Sequence, residues 1–319
     1  MVRNSAAVLL FLLLTVGAAA QKAPFDLFAS GNLGDARRGL RDLDGIDSRD
    51  LSGMTPLMWA AKENEAVDVI NFLISSGASV DARDNRGETA VMKAAGYNAN
   101  PEVLIALVEA GADPDQSYGY LGRTPLMMAA GLNGNPEVAD ALIDFGASLT
   151  EDDSTVQHWT PLYYASSWND NPEVTQLLIE RGAQADQTTL RFNRTPLMEA
   201  VVNNAPPAVV EVLLQAGADP EASGPMGVTL LMEAAAFSKN PEILRLLVDY
   251  GAEVNRTDDR DGMTALMIAC LRRGEEPVIR TFLELGADPR IRDRSGYTAA
   301  DYAEGNSRLR NSEVLELLR

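Results

Sequence analysis

Any chemistry in this chain would rest on very few side chains. There is one histidine, His158, and one cysteine, Cys270. A serine or cysteine nucleophile needs a base held beside it, and a zinc-type site needs several His or Cys ligands. One residue of each kind excludes a His-pair metal motif, a Cys-rich zinc site and an intrachain disulfide. No glycine loop of the phosphate-binding type is present. The run Thr257-Asp258-Asp259-Arg260-Asp261-Gly262 superficially resembles a calcium loop, but it lacks the spaced ligands and the distal glutamate. Asn193-Arg194-Thr195 and Asn255-Arg256-Thr257 would accept glycans only in a eukaryotic secretory route. The sequence therefore predicts no catalytic residue, no metal and no cofactor. Recognition remains, and for that the three tryptophans, Trp59, Trp159 and Trp168, must be placed.

Charge narrows what could be recognised. The 319 residues carry 27 Lys+Arg against 46 Asp+Glu. So acidic a chain repels phosphate backbones, which argues against nucleic acid, and it favours basic proteins through long-range steering. The competing explanation is that acidity only keeps the protein soluble. A hydrophobic content of 46% is too high for a disordered chain. Residues 1–20 read MVRNSAAVLLFLLLTVGAAA: Arg3 is a short basic start, Ala6–Val16 an apolar core, and Ala18-Ala19-Ala20 a small-residue cleavage site. That apolar run is about half of the ~20 residues needed to span a bilayer. Residues 1–20 are expected to be a cleaved signal peptide, and the product of residues 21–319 to be exported without a membrane anchor.

The elements that would position the aromatic residues are announced by self-similarity. Thr55-Pro56-Leu57-Met58 has counterparts beginning at Thr89, Thr124, Thr160, Thr195, Thr229, Thr264 and Thr298, in steps of 34 to 36 residues. A Gly-Ala pair follows each of the first seven threonines by 22 residues, at Gly77, Gly111, Gly146, Gly182, Gly217, Gly251 and Gly286. All length variation falls between that glycine and the next threonine, so this stretch must be a surface connection. Within the constant part, each Thr can cap a helix, with Pro next in four units. The alanine five residues on (Ala60, Ala94, Ala129, Ala165, Ala200, Ala234, Ala269) lets neighbouring helices approach closely. A second helix opens at Asn100-Pro101-Glu102, Asn135-Pro136-Glu137, Asn171-Pro172-Glu173 and Asn240-Pro241-Glu242. Apolar pairs such as Val103 with Leu107 and Ile243 with Leu247 give it one buried face. The marker glycine ends it in the left-handed conformation. His158 and Asn193 stand where the other units have glycine two before the Thr, so both are expected to be turn residues with positive φ. Cys270 aligns with a core alanine and is expected to be buried.

Thr124-Pro125-Leu126-Met127-x-Ala129-Ala130, then Pro136-Glu137-Val138, then Gly146-Ala147, resembles the ankyrin repeat, and the resemblance covers about residues 25–319. It implies an all-α solenoid of helix–turn–helix units with hairpin-like finger loops, about nine units in all. A degenerate N-terminal cap is expected at about 25–50, seven regular repeats at about 51–293 and a C-terminal cap at about 294–319. Two departures stand out. The family's histidine after Thr-Pro-Leu is Met58, Met92, Met127, Met198, Met232 and Met267 in six units and Tyr163 in the fourth, so packing must replace its hydrogen bonding. The helix pair is also one residue longer in the inter-helix turn, as in similar bacterial arrays.

By analogy with the family, the residue before each Thr, and those four and eight after it, should face the concave partner-binding surface. All three tryptophans fall in these places, and the fourth unit is aromatic at all three. Interface hot spots are enriched in Trp, Tyr and Arg near the centre of a patch. The expected anchor is Trp159, Tyr164 and Trp168, flanked by Tyr97, Leu132 and Phe237, with Arg123 and Arg194 at the sides and Trp59 further along. The competing reading, strongest for Trp59, Met128 and Ile268, is that the residue four after Thr is half-buried against the next repeat. The protein is thus expected to be a monomeric, non-enzymatic interaction module, periplasmic or extracellular, binding a protein that the charge predicts to be basic. Two variants of that role are an inhibitor or immunity-type partner of an envelope hydrolase or toxin, and a secreted effector acting on a host protein.

Overall fold

The computed structural model describes residues 24–117, 121–153, 158–189, 193–272 and 275–319. The expected signal segment, residues 1–20, lies outside them, as does part of the finger before Trp159. Among the described residues, ordered structure is helical apart from isolated β-bridges, such as Ser223–Thr229 and Thr257–Thr264. None of these helices is long and apolar enough to cross a membrane. The chain divides into two compact units, residues 1–155 and 156–319.

In the first unit, α1 (residues 24–29) and α2 (Leu33–Gly39) precede three helix pairs. These are α3 (Pro56–Glu63) with α4 (Val67–Ser75), α5 (Ala90–Tyr97) with α6 (Pro101–Glu109), and α7 (Pro125–Leu132) with α8 (Pro136–Asp144). First helices pack on first helices and second on second. The second unit repeats the scheme: α9 (Pro161–Trp168) with α10 (Pro172–Glu180), α11 (Pro196–Val202) with α12 (Pro207–Gln215), α13 (Leu230–Phe237) with α14 (Pro241–Asp249), and α15 (Ala265–Arg272) with α16 (Glu276–Glu284). It ends with α17 (Ala299–Gly305) and a one-turn α18 (Val314–Leu318). The alanines that open space between first helices are all at most 2% exposed.

Local rules set the helix ends. The side chains of Thr55, Thr124, Thr195, Thr229, Thr264 and Thr298 accept the amide three residues on. Thr160 does not, because the Tyr163 amide bonds the Thr160 carbonyl at 3.0 Å instead, tightening the first turn of α9. Thr89 also makes no cap, and its hydroxyl is buried without a partner. The Asn100, Asn135, Asn171 and Asn240 side chains cap the second helices as the sequence predicts. Gly111 and Gly182 end theirs at φ +102° and +110°, a backbone conformation that strains any residue with a side chain. His158 (φ 54°) and Asn193 (φ 50°) take the left-handed turn expected of them. The six methionines are buried, and three do more than pack: the Met127, Met232 and Met267 sulfurs accept the Thr124, Thr229 and Thr264 amides at 3.4–3.5 Å.

The longer inter-helix turn has a structural use. An α-helix leaves its last carbonyls unbonded. Asn98 Nδ2 donates to Ala61 O and Asn64 O at the end of α3, both at 3.0 Å. Asn133 Nδ2 does the same for Ala95 O and Asn98 O at the end of α5, at 2.9 and 2.8 Å. Asn64 reaches back to Phe28 O and Gly31 O. Each of these asparagines also accepts an amide two residues on with its own Oδ1. A parallel exposed set, Asn100 to Glu65 O and Asn135 to Ala99 O, runs beside it. In the second unit the pattern changes: Asn204, at φ 56°, accepts from Ser238 Oγ and Lys239 N, and Asn306 Nδ2 donates to Cys270 O at 2.7 Å.

Three of the fingers are each held by one carboxylate. Asp84 Oδ1 accepts from Arg86 N and Glu88 N, and Asp293 Oδ1 from Ser295 N and Tyr297 N. Asp258 Oδ1 accepts from the amides of Asp261, Gly262 and Met263, so the loop that resembled a calcium site uses that oxygen on its own backbone.

Asn133→Ala should therefore strand Ala95 O and Asn98 O in the interior. Equilibrium urea unfolding should show a loss of about 2 kcal/mol or more, since each buried group left unbonded costs roughly 1–3 kcal/mol. A loss within about 0.5 kcal/mol, as at an ordinary surface site, would mean the ladder is incidental.

Candidate functional site

The expected anchor residues assemble around α9. His158 turns the chain so that Trp159, just before the helix, lies over its first turn. Its indole stacks on Tyr163 (centroids 6.4 Å apart, planes at 9°) and meets Tyr164 edge-on at 5.9 Å. Tyr164 and Trp168 are four residues apart on one helix face, and their rings meet at 5.0 Å. Trp168 closes the group against Trp159 at 4.8 Å. Tyr164 is buried and Trp159 half-buried, while Trp168 is 48% exposed. The cluster thus presents one tryptophan to solvent and supports it with three other rings.

At Tyr163 the expectation that packing alone replaces the family histidine's hydrogen bonding is corrected, because the phenol makes hydrogen bonds of its own. Its hydroxyl lies 2.5 Å from Gln187 O and also reaches Arg194 O, sharing its one proton between two carbonyls of the next finger. Burial, with the nearby Glu199 carboxylate, pushes this phenol well above its ordinary pKa. Arg194 is committed inside the unit. It bonds Glu199 through Nε, Glu233 Oε1 at 2.8 Å and Met198 O at 3.3 Å, tying α11 to α13. Burial opposes its charge, yet the Glu233 and Glu199 carboxylates hold its pKa above the usual value. Burial raises Glu233 against the pull of Arg194. Phe237 is exposed at the end of α13, in the register of Trp168 on α9. Cys270, buried as expected, has its thiol pushed up to about 12 by burial.

In the first unit, Tyr97 and Leu132 are exposed at the ends of α5 and α7. Trp59 is half-buried and donates from Nε1 to Asp50 Oδ2 at 3.1 Å. The Lys62 ammonium sits 5.4 Å from the Trp59 ring centre and 5.5 Å from that of Tyr97. Arg123 is half-buried, with Nη1 3.9 Å from Met128 Sδ. Lys93, in the register of Trp59 and Tyr164, is buried between Asp84 (2.7 Å) and Glu88. Burial opposes its charge, but the two carboxylates hold the ammonium above its ordinary pKa. The residue four after Thr is thus buried at Lys93, Met128, Tyr164 and Glu199 and half-buried at Trp59, Glu233 and Ile268. The competing reading of that register holds, and exposure belongs to the residue eight after Thr. Tyr163 and the Asn98–Asn133 ladder were missed, although asparagine nine residues after five successive threonines was a visible signal.

Stacked helix pairs with projecting fingers and an exposed aromatic cluster define a class, the helical-repeat binding scaffolds, which carry function on a surface rather than in a cleft. A family model for ankyrin repeats, in sets of three copies, matches residues 27–118, 115–189, 170–258 and 231–319. The chain belongs to the ankyrin-repeat family. Its described fold is similar to the crystal structure of the human ASB11 ankyrin repeat domain, with TM-score 0.63 and 25% identity over 74% of this chain and 100% of that one. Among curated proteins, ankyrin repeat and SOCS box protein 6 of Mus musculus is 32% identical over 110 residues, 34% of this chain and 26% of that protein. Protein PhlB of Serratia liquefaciens is 38% identical over 119 residues, 36% of this chain and 52% of PhlB. These matches span a quarter to a half of the relatives' own lengths. The family fold is a protein-interaction scaffold, and no enzymatic family is indicated.

Tyr163→Phe keeps the ring and removes the proton that joins α9 to the next finger. It should lower unfolding free energy by about 1–3 kcal/mol, read in urea by tryptophan fluorescence. Lys93→Met should be costlier, roughly 3–5 kcal/mol at pH 7, because it leaves Asp84 and Glu88 buried without a cation. Although burial works against it, Lys93 and backbone amides hold Asp84 below its ordinary 3.8, so its stabilisation is present above that value. It should be lost as pH falls through the folded-state pKa. In Lys93→Met this acid-range dependence should shrink, measurable as the difference in urea midpoint between pH 5 and pH 3.

Proposed function

We propose that this chain is an exported, non-enzymatic module that binds a protein partner through the first-helix face of residues 156–319, anchored on Trp168 and Trp159. One observation carries the reading. Trp168 is half exposed yet in ring contact with both Trp159 and Tyr164. A large side chain already fixed in place loses little freedom on binding, which is what makes an aromatic residue a strong contact. Export rests on the pattern of residues 1–20, and the similarity to a protein of Serratia liquefaciens supports a bacterial setting. A periplasmic location follows from that setting, with release from the cell as the alternative. The charge favours a basic partner surface, whose association should slow as salt rises.

Within this reading, an inhibitor or immunity-type partner of an envelope hydrolase or toxin is the more specific role, and an effector acting on a host protein the other. Wild-type, Trp168→Ala and Trp159→Ala proteins, used as baits on envelope extract, test the anchor by quantitative mass spectrometry. The partner should be retained by wild type and lost from both variants, a penalty of about 2 kcal/mol or more, or roughly 30-fold in affinity. Equal retention by all three would move the site elsewhere. A drop in hydrolytic activity of the captured protein on adding wild type separates inhibition from scaffolding.

A further inference from the structure

Within the 156–319 unit the joins between successive repeats are unequal. The join between the repeat of α11 and α12 and that of α13 and α14 departs from the others on two edges. On the helix edge, α3, α5, α7, α9, α13 and α17 each end in an extended residue, with ψ between 118° and 142°. At α3 and α5 the carbonyls left open are the ones that the next asparagine serves. In contrast, α11 ends on left-handed Asn204, at φ 56°. Ala205 N donates to Ala200 O at 2.9 Å and Asn204 N to Val201 O at 3.2 Å, so this helix closes its own last turn. The residue nine after Thr229 is Ser238 rather than asparagine, and its hydroxyl meets Asn204 Oδ1 at 3.2 Å instead of an α11 carbonyl.

On the finger edge, three other joins share a backbone bond between neighbouring tips. These are Asn85 N to Ser52 O, Asp259 N to Met226 O and Arg294 N to Asp261 O, each at 2.9 Å. The donors stand four or five residues before Thr89, Thr264 and Thr298. Before Thr229 the same places are Pro225, which has no N–H, and Gly224, whose N–H is taken by Val228 O of its own finger. Between this finger and the preceding one lies a cavity of about 400 Å³, lined by Asp186, Thr188 and Asn193 on one side and Asp219, Glu221 and Ser223 on the other.

The joins on either side are tied more closely. Tyr163 binds α9 to the finger of α11 through Gln187 O and Arg194 O. Beyond the cavity, Glu221 takes the Glu253 amide at 2.6 Å and the Arg256 guanidinium at 2.5 Å, and Asn255 takes the Asp288 amide at 2.8 Å. Across the open join, the hydrogen bonds and ion pairs among described residues are Asp219 N to Asp186 Oδ1 at 3.2 Å, Ser238 and Lys239 to Asn204, and Arg194 to Glu233. At the back of the join α12 packs on α14, where Val210, Leu213, Leu244 and Leu247 are buried.

We propose that this join is a hinge, rocking about the packed α12 and α14 and opening at the fingers, with the Arg194–Glu233 pair as the latch that holds it shut. In a repeat array each unit touches only its neighbours, so local opening concentrates at the interface with fewest ties. Trp168 stands on one side of the hinge and Phe237 on the other, and its angle sets the separation of these two exposed rings. That consequence, unlike the hinge itself, rests on the reading of the tryptophan face.

Hydrogen exchange of the full chain, resolved to single amides, reads the opening without a partner. The fold supplies matched reporters: Asp219, Glu253 and Asp288 each stand two residues after a marker glycine, and each amide donates to a side chain of the preceding finger. After correction for intrinsic rates, the Asp219 amide should exchange roughly tenfold or more faster than those of Glu253 and Asp288. Glu233→Gln removes the charge of the latch and keeps the shape of the side chain. It should speed Asp219 and Lys239 several-fold further and leave Glu253 and Asp288 unchanged, with urea unfolding verifying that the variant is folded. Equal rates at the three amides in the wild type overturn the hinge, whether or not the variant folds. So does a folded variant in which all of these amides accelerate together, or none does. Because no partner is present, either result leaves the reading of Trp168 to its own test.

Discussion

Every helix in this protein ends with carbonyls that its own turns cannot satisfy, and the array is built around who satisfies them. In the first unit the answer is the next repeat: Asn98 closes α3 and Asn133 closes α5, each with two bonds from a single side-chain amide. The same asparagine fixes its own turn through Oδ1, so spacing between repeats and entry into the second helix are set by one residue. Alanines let the first helices come close enough for these bonds to form. The extra turn residue, which looks like an insertion in the repeat, is what makes room for the ladder.

That framework decides which side chains are available to a partner. With first helices packed face to face, the residue four after each Thr is drawn into the contact, and polar residues there need companions. Lys93 finds Asp84 and Glu88, and Arg194 with Glu199 and Glu233 bridges α11 and α13. The residue eight after Thr lies past the contact and stays in solvent, which is why Trp168, Phe237, Tyr97 and Leu132 are exposed. The tryptophan cluster combines both registers: Tyr164 is buried beneath, Trp168 lies above, and Trp159 spans the two from the finger.

The sequence disclosed what is decided within one repeat. Asn-Pro-Glu caps, helix-ending glycines, the left-handed turns at His158 and Asn193 and the buried Cys270 are each fixed by a few neighbouring residues. The location of the aromatic cluster was legible for the same reason, since Trp159, Tyr164 and Trp168 lie within ten positions of one another. Exposure was harder, because it depends on a helix roughly 35 positions away in the chain. Arg194 reads as a rim residue until Glu233, 39 positions on, is brought beside it. Tyr163 was described by what it had replaced, and only the next finger's backbone shows that the phenol supplies the missing bonds. The methionine sulfurs make a similar point: three of the six methionine positions regain a weak acceptor rather than packing alone.

The asparagine ladder also has a direction. Asn98 serves the repeat before it and Asn133 serves Asn98's own helix pair, never the reverse. In the first unit, a chain emerging N-terminus first therefore completes each helix pair only when the following turn arrives, so the open bonding positions travel with the newest repeat. Assembly would proceed like a zip fastener, the unfinished edge always at the growing end.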